Sequence, residues 1–431
     1  MPTRLSTRDA DFAERFAAFL GTKRESAEDV ESVARSIVAD VVKRGDRALI
    51  ELTKRFDGVE LTASTLRIPE SEFDLALAAI DPRARDALQF ARDRVEAHHR
   101  RQFPKDETYI DPIGVELGHR WSAVEAVGLY VPGGTAAYPS SLLMNVIPAR
   151  VAGVSRLAIT VPTPGGKINP LVLAAAKLAG VTEVYRVGGA QAIAALAFGT
   201  ETIAPVAKIV GPGNAYVAAA KRIVFGRVGI DMVAGPSEVL VLADGGADAD
   251  FIAADLLAQA EHDAVAQPIL VTNDAKLAEA VERSVARQLQ SLPRASIAGS
   301  SWRDFGAIIL VEQIEDAIVL VDRLAPEHVE LIGAQAEKLS GRIRNAGAIF
   351  IGPFTPEAIG DYVGGSNHVL PTGRAARYAS GLSVLDFMKR TSILKCGPEQ
   401  LKQLGPSAVV LGEAEGLEAH ARSVRMRLDR S

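Results

Sequence analysis

The side chains best suited to chemistry sit late in the chain: of seven histidines, four (His262, His328, His368 and His420) lie beyond Ala260, each in polar company. In "DLLAQAEHD", Gln259 and His262 are three residues apart at the end of an apolar helical run and share one helix face. Such a pair can hold a metal ion if further ligands arrive from elsewhere, although a Gln/His face at a helix end is equally at home in water. "APEHVELIG" sets Glu327 beside His328 in a short turn, after a proline that ends a helix and before a strand. An adjacent carboxylate and imidazole make an acid/base pair suited to neutral pH, and the same dipeptide also reads as a polar turn. "AIGDYVGGSNHVLPTG" is a long glycine-rich loop carrying Asp361, Asn367 and His368 with little apolar content, a kind of loop more often functional than decorative. "EAEGLEAHARSV" adds Glu415 and His420 from a segment that reads as a peripheral tail. His98 and His99 read as the solvated end of a basic helix, because no carboxylate or thiolate follows at ligand spacing. The one cysteine, Cys396, excludes an intrachain disulfide, suits a reducing compartment, and reads as an ordinary buried thiol in preference to a nucleophile.

These residues need a scaffold to bring them together, and the rest of the chain describes one. A length of 431 residues exceeds one ordinary core and implies two or three domains. A hydrophobic fraction of 48% with only 5% aromatics is that of an Ala/Val/Leu-rich α/β protein. The net charge of −5, from 48 basic and 53 acidic residues without long single-sign blocks, gives no nucleic-acid or anionic-membrane surface and leaves a small molecule as the expected partner. The opening "MPTRLSTRDADFAERF" lacks an apolar core, and no later stretch approaches the roughly 20 apolar residues of a membrane span, so a cytoplasmic protein is expected.

Up to Lys105 the pattern is mostly helical: "SAEDVESVARSIVADVVKRG" has Ser26, Glu28 and Asp29 at a start and Gly45 at a stop, and "DPRARDALQFARDRVEAHHRRQF" is a second long amphipathic helix. From Val124, four strand-then-helix units follow in "AVEAVGLYVPGG", "RLAITVPTP", "VTEVYRVGG" and "AKIVGPG", which imply a parallel sheet with helices on both faces. Three of these strands end in glycines (Gly133 and Gly134, Gly188 and Gly189, Gly211 and Gly213), where a backbone can approach a pyrophosphate, although no GxGxxG is present and simple turns would use the same residues. A second α/β run begins at "AGPSEVLVLAD", giving two doubly wound units with a cleft between them and ligands expected at the carboxyl ends of strands.

Eight stretches in order, "GLYVPGG", "RVGGAQAIAALAFGT", "KIVGPGNAYV", "DMVAGPSEVLV", "DLLAQAEHD", "APEHVEL", "GDYVGGSNHVLPTG" and "EGLEAHARSV", make the chain resemble the histidinol dehydrogenase family over nearly its whole length. The resemblance implies an α/β fold of two Rossmann-like domains without the standard fingerprint, a helical N-terminal segment and an extended C-terminal tail. It divides the chain into an N-terminal extension over 1–25, an α/β domain over 26–123 and 237–381 carrying zinc and catalytic residues, an NAD-binding domain over 124–236, and a segment over 382–431 that reaches the partner of a homodimer. Gln259, His262, Asp361 and His420 match the ligands of one Zn2+ per subunit, with His420 supplied by the partner; zinc and manganese both suit such donors. Glu327 and His328 match the catalytic pair, His328 taking the alcohol proton and Glu327 activating water. Tyr130, Gln191 and Asn214 match the NAD+ contacts. Ser237, His368 and Glu415, with His328 and the four ligands, match the substrate contacts. The implied reaction is L-histidinol plus two NAD+ and water giving L-histidine and two NADH. Cys396, Glu261 and Asp263 have no role in it. Two alternatives stay open on sequence: a dehydrogenase of another primary alcohol, and a zinc hydrolase in which Glu327 activates a metal-bound water.

Overall fold

The computed structural model describes residues 1–22, 29–133, 138–233 and 235–430. Ser26, Glu28 and Gly134 lie outside these residues. The chain opens with strand β1 (Thr3–Ser6) and helices α1 (Phe12–Leu20), α2 (Asp29–Arg44), α3 (Asp46–Asp57), α4 (Ala63–Leu66), α5 (Glu70–Ala79) and α6 (Pro82–Arg100), followed by the strands β2 (Glu107–Ile110) and β3 (Glu116–Ala123). Strands and helices then alternate through β4 (Ala126–Tyr130), α7 (Pro139–Val151), β5 (Arg156–Thr160), α8 (Pro170–Leu178), β6 (Glu183–Tyr185), α9 (Gly189–Phe198), β7 (Lys208–Val210), α10 (Ala215–Val224) and β8 (Gly229–Ile230). A second alternation runs through β9 (Glu238–Ala243), α11 (Ala249–Ala260), β10 (Gln267–Thr272), α12 (Ala275–Gln288), α13 (Ala295–Asp304), β11 (Ala307–Leu310), α14 (Ala317–Leu324), β12 (His328–Ile332) and β13 (Ala348–Ile351). Helix α15 (Glu357–Tyr362), strand β14 (Met388–Lys395) and helices α16 (Pro398–Ala414) and α17 (Glu418–Leu428) complete the chain.

Two parallel sheets carry the fold. The first has the order β6-β5-β4-β7-β8 and the second β1-β11-β10-β9-β12-β13. Their central strands are buried along their whole length and mostly apolar because both faces are covered. In β9, Val239 and Val241 pack toward α11 and α12 while Leu240 and Leu242 pack toward α1 and α14. In β4, Val127 and Leu129 face α5 to α8, and Ala126 and Tyr130 face α2, α3, α9 and α10. A third sheet, β14-β3-β2, is antiparallel and half exposed. No helix among the described residues is long and apolar enough to cross a membrane.

The architecture departs from the sequence expectation in five places. The N-terminal segment is helical except for β1, which pairs in parallel with β11 as an edge strand of the six-stranded sheet. Helices α2 to α6, expected to belong with 237–381, pack on the five-stranded sheet, since their apolar stripes join the clusters around β4 and β5. Between β12 and β13, where the alternation of the second α/β run calls for a helix after "HVELIG", the chain forms a 3-10 stretch at Glu337–Arg342, entered by a turn whose Gln335 N–H donates to the Asp244 carboxylate at 2.7 Å. His99 is fully buried, not solvated: it lies on the same α6 stripe as Ala91 and Val95, its Nδ1 bonds Val95 O at 2.7 Å, and its Nε2 stands 3.3 Å from Asn367 Nδ2. His98 is exposed as expected, whereas Cys396 is exposed and not the buried thiol its sequence suggested.

Candidate active site

Chain order in the six-stranded sheet runs β9-β10-β11 to one side and β12-β13 to the other, so the winding reverses between β9 and β12. The residues of interest gather at this reversal, but at the amino ends of the strands and not at the expected carboxyl ends. His328 opens β12 beside the start of β9, pairing with Val239, and Glu327 immediately precedes it. Helix α11 runs antiparallel to the strands and delivers its C-terminal residues to the same end. Gln259 lies in its last turn and His262 just beyond, where the His262 N–H donates to Gln259 O at 3.2 Å and Arg294 reaches His262 O at 3.3 Å. Asp361 belongs to α15, so the stretch expected to be all loop begins as a short helix. His368 follows in the loop, which Asn367 fixes by donating to Met144 O at 2.6 Å.

Of these groups His262, Asp361 and His368 line one side of a cavity of about 460 Å³, whose other side is α6, α7 and Leu171 at the start of α8, while Gln259, Glu327 and His328 are buried and are not among its lining residues. His328 is the most constrained member. Its Nδ1 lies 3.0 Å from the Glu238 carbonyl, which only accepts, so Nδ1 carries the proton and Nε2 holds a lone pair. That Nε2 has no hydrogen-bond partner among the described residues and stands 3.8 Å from Asp361 Oδ1. Burial pushes the His328 imidazole down to about 4, keeping it neutral. Glu327 Oε2 accepts from the Glu238 N–H at 3.1 Å and also meets the Ser237 hydroxyl, while burial raises its carboxyl well above the usual range. Ser237 thus joins the site through Glu327.

Asp361 is pushed up to about 7 by burial, and His368, whose Nδ1 is 3.9 Å from Asp361 Oδ1, is pushed down to about 4 for the same reason. At 3.8–3.9 Å these contacts are too long for hydrogen bonds. His262 is open to solvent because it faces the cavity, yet the protein around it lowers its pKa by desolvation. Gln259 is buried and its Oε1 has no partner among the described residues. Among those residues no three His, Cys, Asp or Glu side chains stand at metal-binding spacing. Glu415 and His420 are exposed on the α16–α17 hairpin and do not line the cavity.

Three acids behind this wall escaped the sequence reading. Glu330, on the same face of β12 as His328, shares a hydrogen bond with Asp255 of α11 and accepts the Glu357 N–H at 2.7 Å. Glu357 Oε2 lies 3.6 Å from His328 Nδ1. A glutamate in the otherwise apolar strand "HVELI" was the signal available for Glu330.

The other three candidates sit at the carboxyl ends of the five-stranded sheet, around its own reversal between β4 and β7. Tyr130 ends β4, is buried, and its hydroxyl accepts the Gly189 N–H at 3.1 Å; burial pushes its phenol up to about 12. Gln191 is buried in the first turn of α9 with Oε1 unpartnered among the described residues. Asn214 caps α10 through Oδ1, 3.1 Å from the amides of both Tyr216 and Val217, with its side chain at the surface. The intervening Gly211 has φ +112° and touches the Tyr130 carbonyl so closely that no Cβ fits. Its N–H donates to Asp231 at 2.8 Å, its carbonyl accepts from Lys221 at 3.0 Å, and Lys221 and Asp231 form a buried ion pair.

The sequence model of the histidinol dehydrogenase family matches residues 20–428. The chain is 66% identical over 431 residues, with full coverage of both, to the histidinol dehydrogenase of Bradyrhizobium diazoefficiens. It is 67% identical over 429 residues, again across both whole chains, to that of Nitrobacter winogradskyi. The crystal structure of histidinol dehydrogenase from Elizabethkingia anophelis is similar with a TM-score of 0.94 at 37% identity, covering 100% of this chain and 98% of that one.

Proposed function

The chain belongs to the histidinol dehydrogenase family, NAD-dependent oxidoreductases of histidine biosynthesis whose substrate is histidinol, and on that premise we propose that this cavity oxidises L-histidinol to L-histidine through the aldehyde, with Glu327 and His328 as the catalytic pair. The observation that carries the assignment is the state of His328: buried, neutral, fixed in one tautomer by the Glu238 carbonyl, with a free Nε2 lone pair.

Gln259, His262 and Asp361, completed by His420 of the partner subunit, would hold one zinc ion per subunit. Three features of the chain fit a cation there. Gln259 Oε1 is buried without a donor among the described residues, desolvation lowers His262 and so favours its unprotonated form, and burial raises Asp361. Zinc, when bound, supplies a Lewis-acidic anchor for the nitrogen and oxygen of the amino alcohol. NAD+ supplies the hydride acceptor, twice per substrate. His328 Nε2 takes the hydroxyl proton as the first hydride leaves, and Glu327 takes a proton from the water that adds to the aldehyde, setting up the second transfer. The balance is L-histidinol + 2 NAD+ + H2O → L-histidine + 2 NADH + 3 H+. Ser237 orients Glu327, and His368 and the partner's Glu415 hold the substrate.

The strand-end groups Tyr130, Gln191 and Asn214 are read as the NAD contacts, within a cofactor unit over 124–236; the unit over 237–381 carries the zinc and catalytic groups. The protein is read as a cytoplasmic homodimer whose 382–431 segment completes the partner's site. Exposed Val410, Leu411, Leu417 and Met426 on the α16–α17 hairpin support a covered surface there. Glu327→Gln tests the catalytic assignment: it should bind metal and histidinol as wild type does, release one NADH and accumulate aldehyde, with the second step slowed by about 10²–10⁴. A variant that oxidised supplied histidinal at the wild-type rate would remove Glu327 from the mechanism.

A further inference from the structure

Asp57 is the last residue of α3, outside the strand-helix alternation of β4 to β8, yet it reaches the carboxyl end of β5. The Thr163 N–H, just past that strand, donates to Asp57 Oδ2 at 3.3 Å. The two neighbouring strand-end turns close on the same point. A Cβ added to Gly133, after β4, would stand 2.6 Å from Pro162 Cγ, and one added to Gly188, after β6, would also strike Pro162. The three loops therefore converge beside Thr163, with Asp57 close enough to Tyr130 that the phenol feels its charge.

Asp57 is half-buried, and no hydrogen bond to its Oδ1 comes from any described residue. Nor, among the described residues, does a cation pair with it: nearby Lys54 pairs with Glu60, and Arg55 lies over the Phe56 ring. A partly desolvated carboxylate in this position is an acceptor in want of hydroxyl donors. In doubly wound dinucleotide folds, an acid beside the second strand takes the ribose 2′-hydroxyl and repels a 2′-phosphate. Here β5 is the second strand, adjacent to β4, but the acid is delivered by α3.

We propose that Asp57 accepts the adenosine-ribose hydroxyls of the dinucleotide and sets the preference for NAD over its 2′-phosphorylated counterpart. This rests on the reading of Tyr130, Gln191 and Asn214 as the cofactor edge. The test is equilibrium titration of NADH and NADPH, followed by nicotinamide fluorescence, on the zinc-loaded full-length protein and on Asp57→Ala, Asp57→Asn and Asn214→Ala. Asp57→Asn keeps an acceptor oxygen for Thr163, so it separates charge from loop support.

Asp57→Ala should weaken NADH about tenfold or more, the loss of a charge-assisted hydrogen bond, while NADPH affinity holds or rises. Asp57→Asn should tighten NADPH. If Asn214→Ala weakens NADH while both Asp57 variants bind it as wild type does, the cofactor edge stands and the role of Asp57 is overturned. If Asp57→Ala weakens NADH and NADPH equally, Asp57 only supports the loop and the proposal also fails. Unchanged NADH binding in all three variants would reject the cofactor edge itself.

Discussion

At the scale of single residues, the site works by withholding partners. His328 Nε2 and Gln259 Oε1 are buried polar atoms with no acceptor or donor among the described residues, a costly state unless a ligand completes it. Gln259→Ala should therefore lose most of its metal, read by elemental analysis after dialysis, with little loss of thermal stability. Retention of one metal per subunit would show that Gln259 is not a ligand. Much of this was legible in the sequence, because Gln259, His262, Glu327, His328 and Asp361 fall in short polar stretches amid apolar elements. What was not legible is orientation: Glu238 fixes the His328 tautomer through a backbone carbonyl, and a backbone contact leaves no mark on residue type. His99 was misread for the related reason that its partner, Asn367, is distant in sequence.

At the scale of elements, the Asp255–Glu330 pair binds α11 to β12, and the Glu357 N–H on Glu330 ties in α15, the helix that carries Asp361. Burial pushes Asp255 up to about 6, so the two acids hold a proton between them. A carboxyl whose folded pKa is raised contributes stability that is complete below its unfolded value of about 4 and is lost as pH climbs through the raised value. In Glu330→Gln the amide can donate to an ionised Asp255, removing the need for the shared proton. Relative to wild type, this variant should gain stability between pH 5 and pH 8, on the order of 1–3 kcal/mol, read from paired thermal melts. Parallel melting curves across that range would contradict the shared proton. The strand and helix alternation that builds this frame was readable as hydrophobic periodicity. The choice of the amino end of the second sheet was not, since it follows from where α11 ends and not from any strand's composition.

At the scale of the whole molecule, two of the expected groups stand away from the rest of the site. Glu415 and His420 project on the α16–α17 hairpin beyond the antiparallel sheet, exposed in the single chain. If each site borrows them from the partner, two inactive variants should rescue one another. His420→Ala mixed with Glu327→Gln and allowed to exchange subunits should regain about a quarter of wild-type activity, since half the dimers are mixed and each carries one intact site. No recovery, with exchange verified by mass, would confine the site to one chain. The hairpin's destination was unreadable from composition, because an exposed apolar helix states that it is covered but not by what. The account as a whole meets its most direct test in the NADH formed per L-histidinol consumed at limiting substrate, before and after metal removal. Two NADH per histidinol, lost on chelation and restored by zinc, is the expected result; a single NADH, or turnover indifferent to metal, would contradict it.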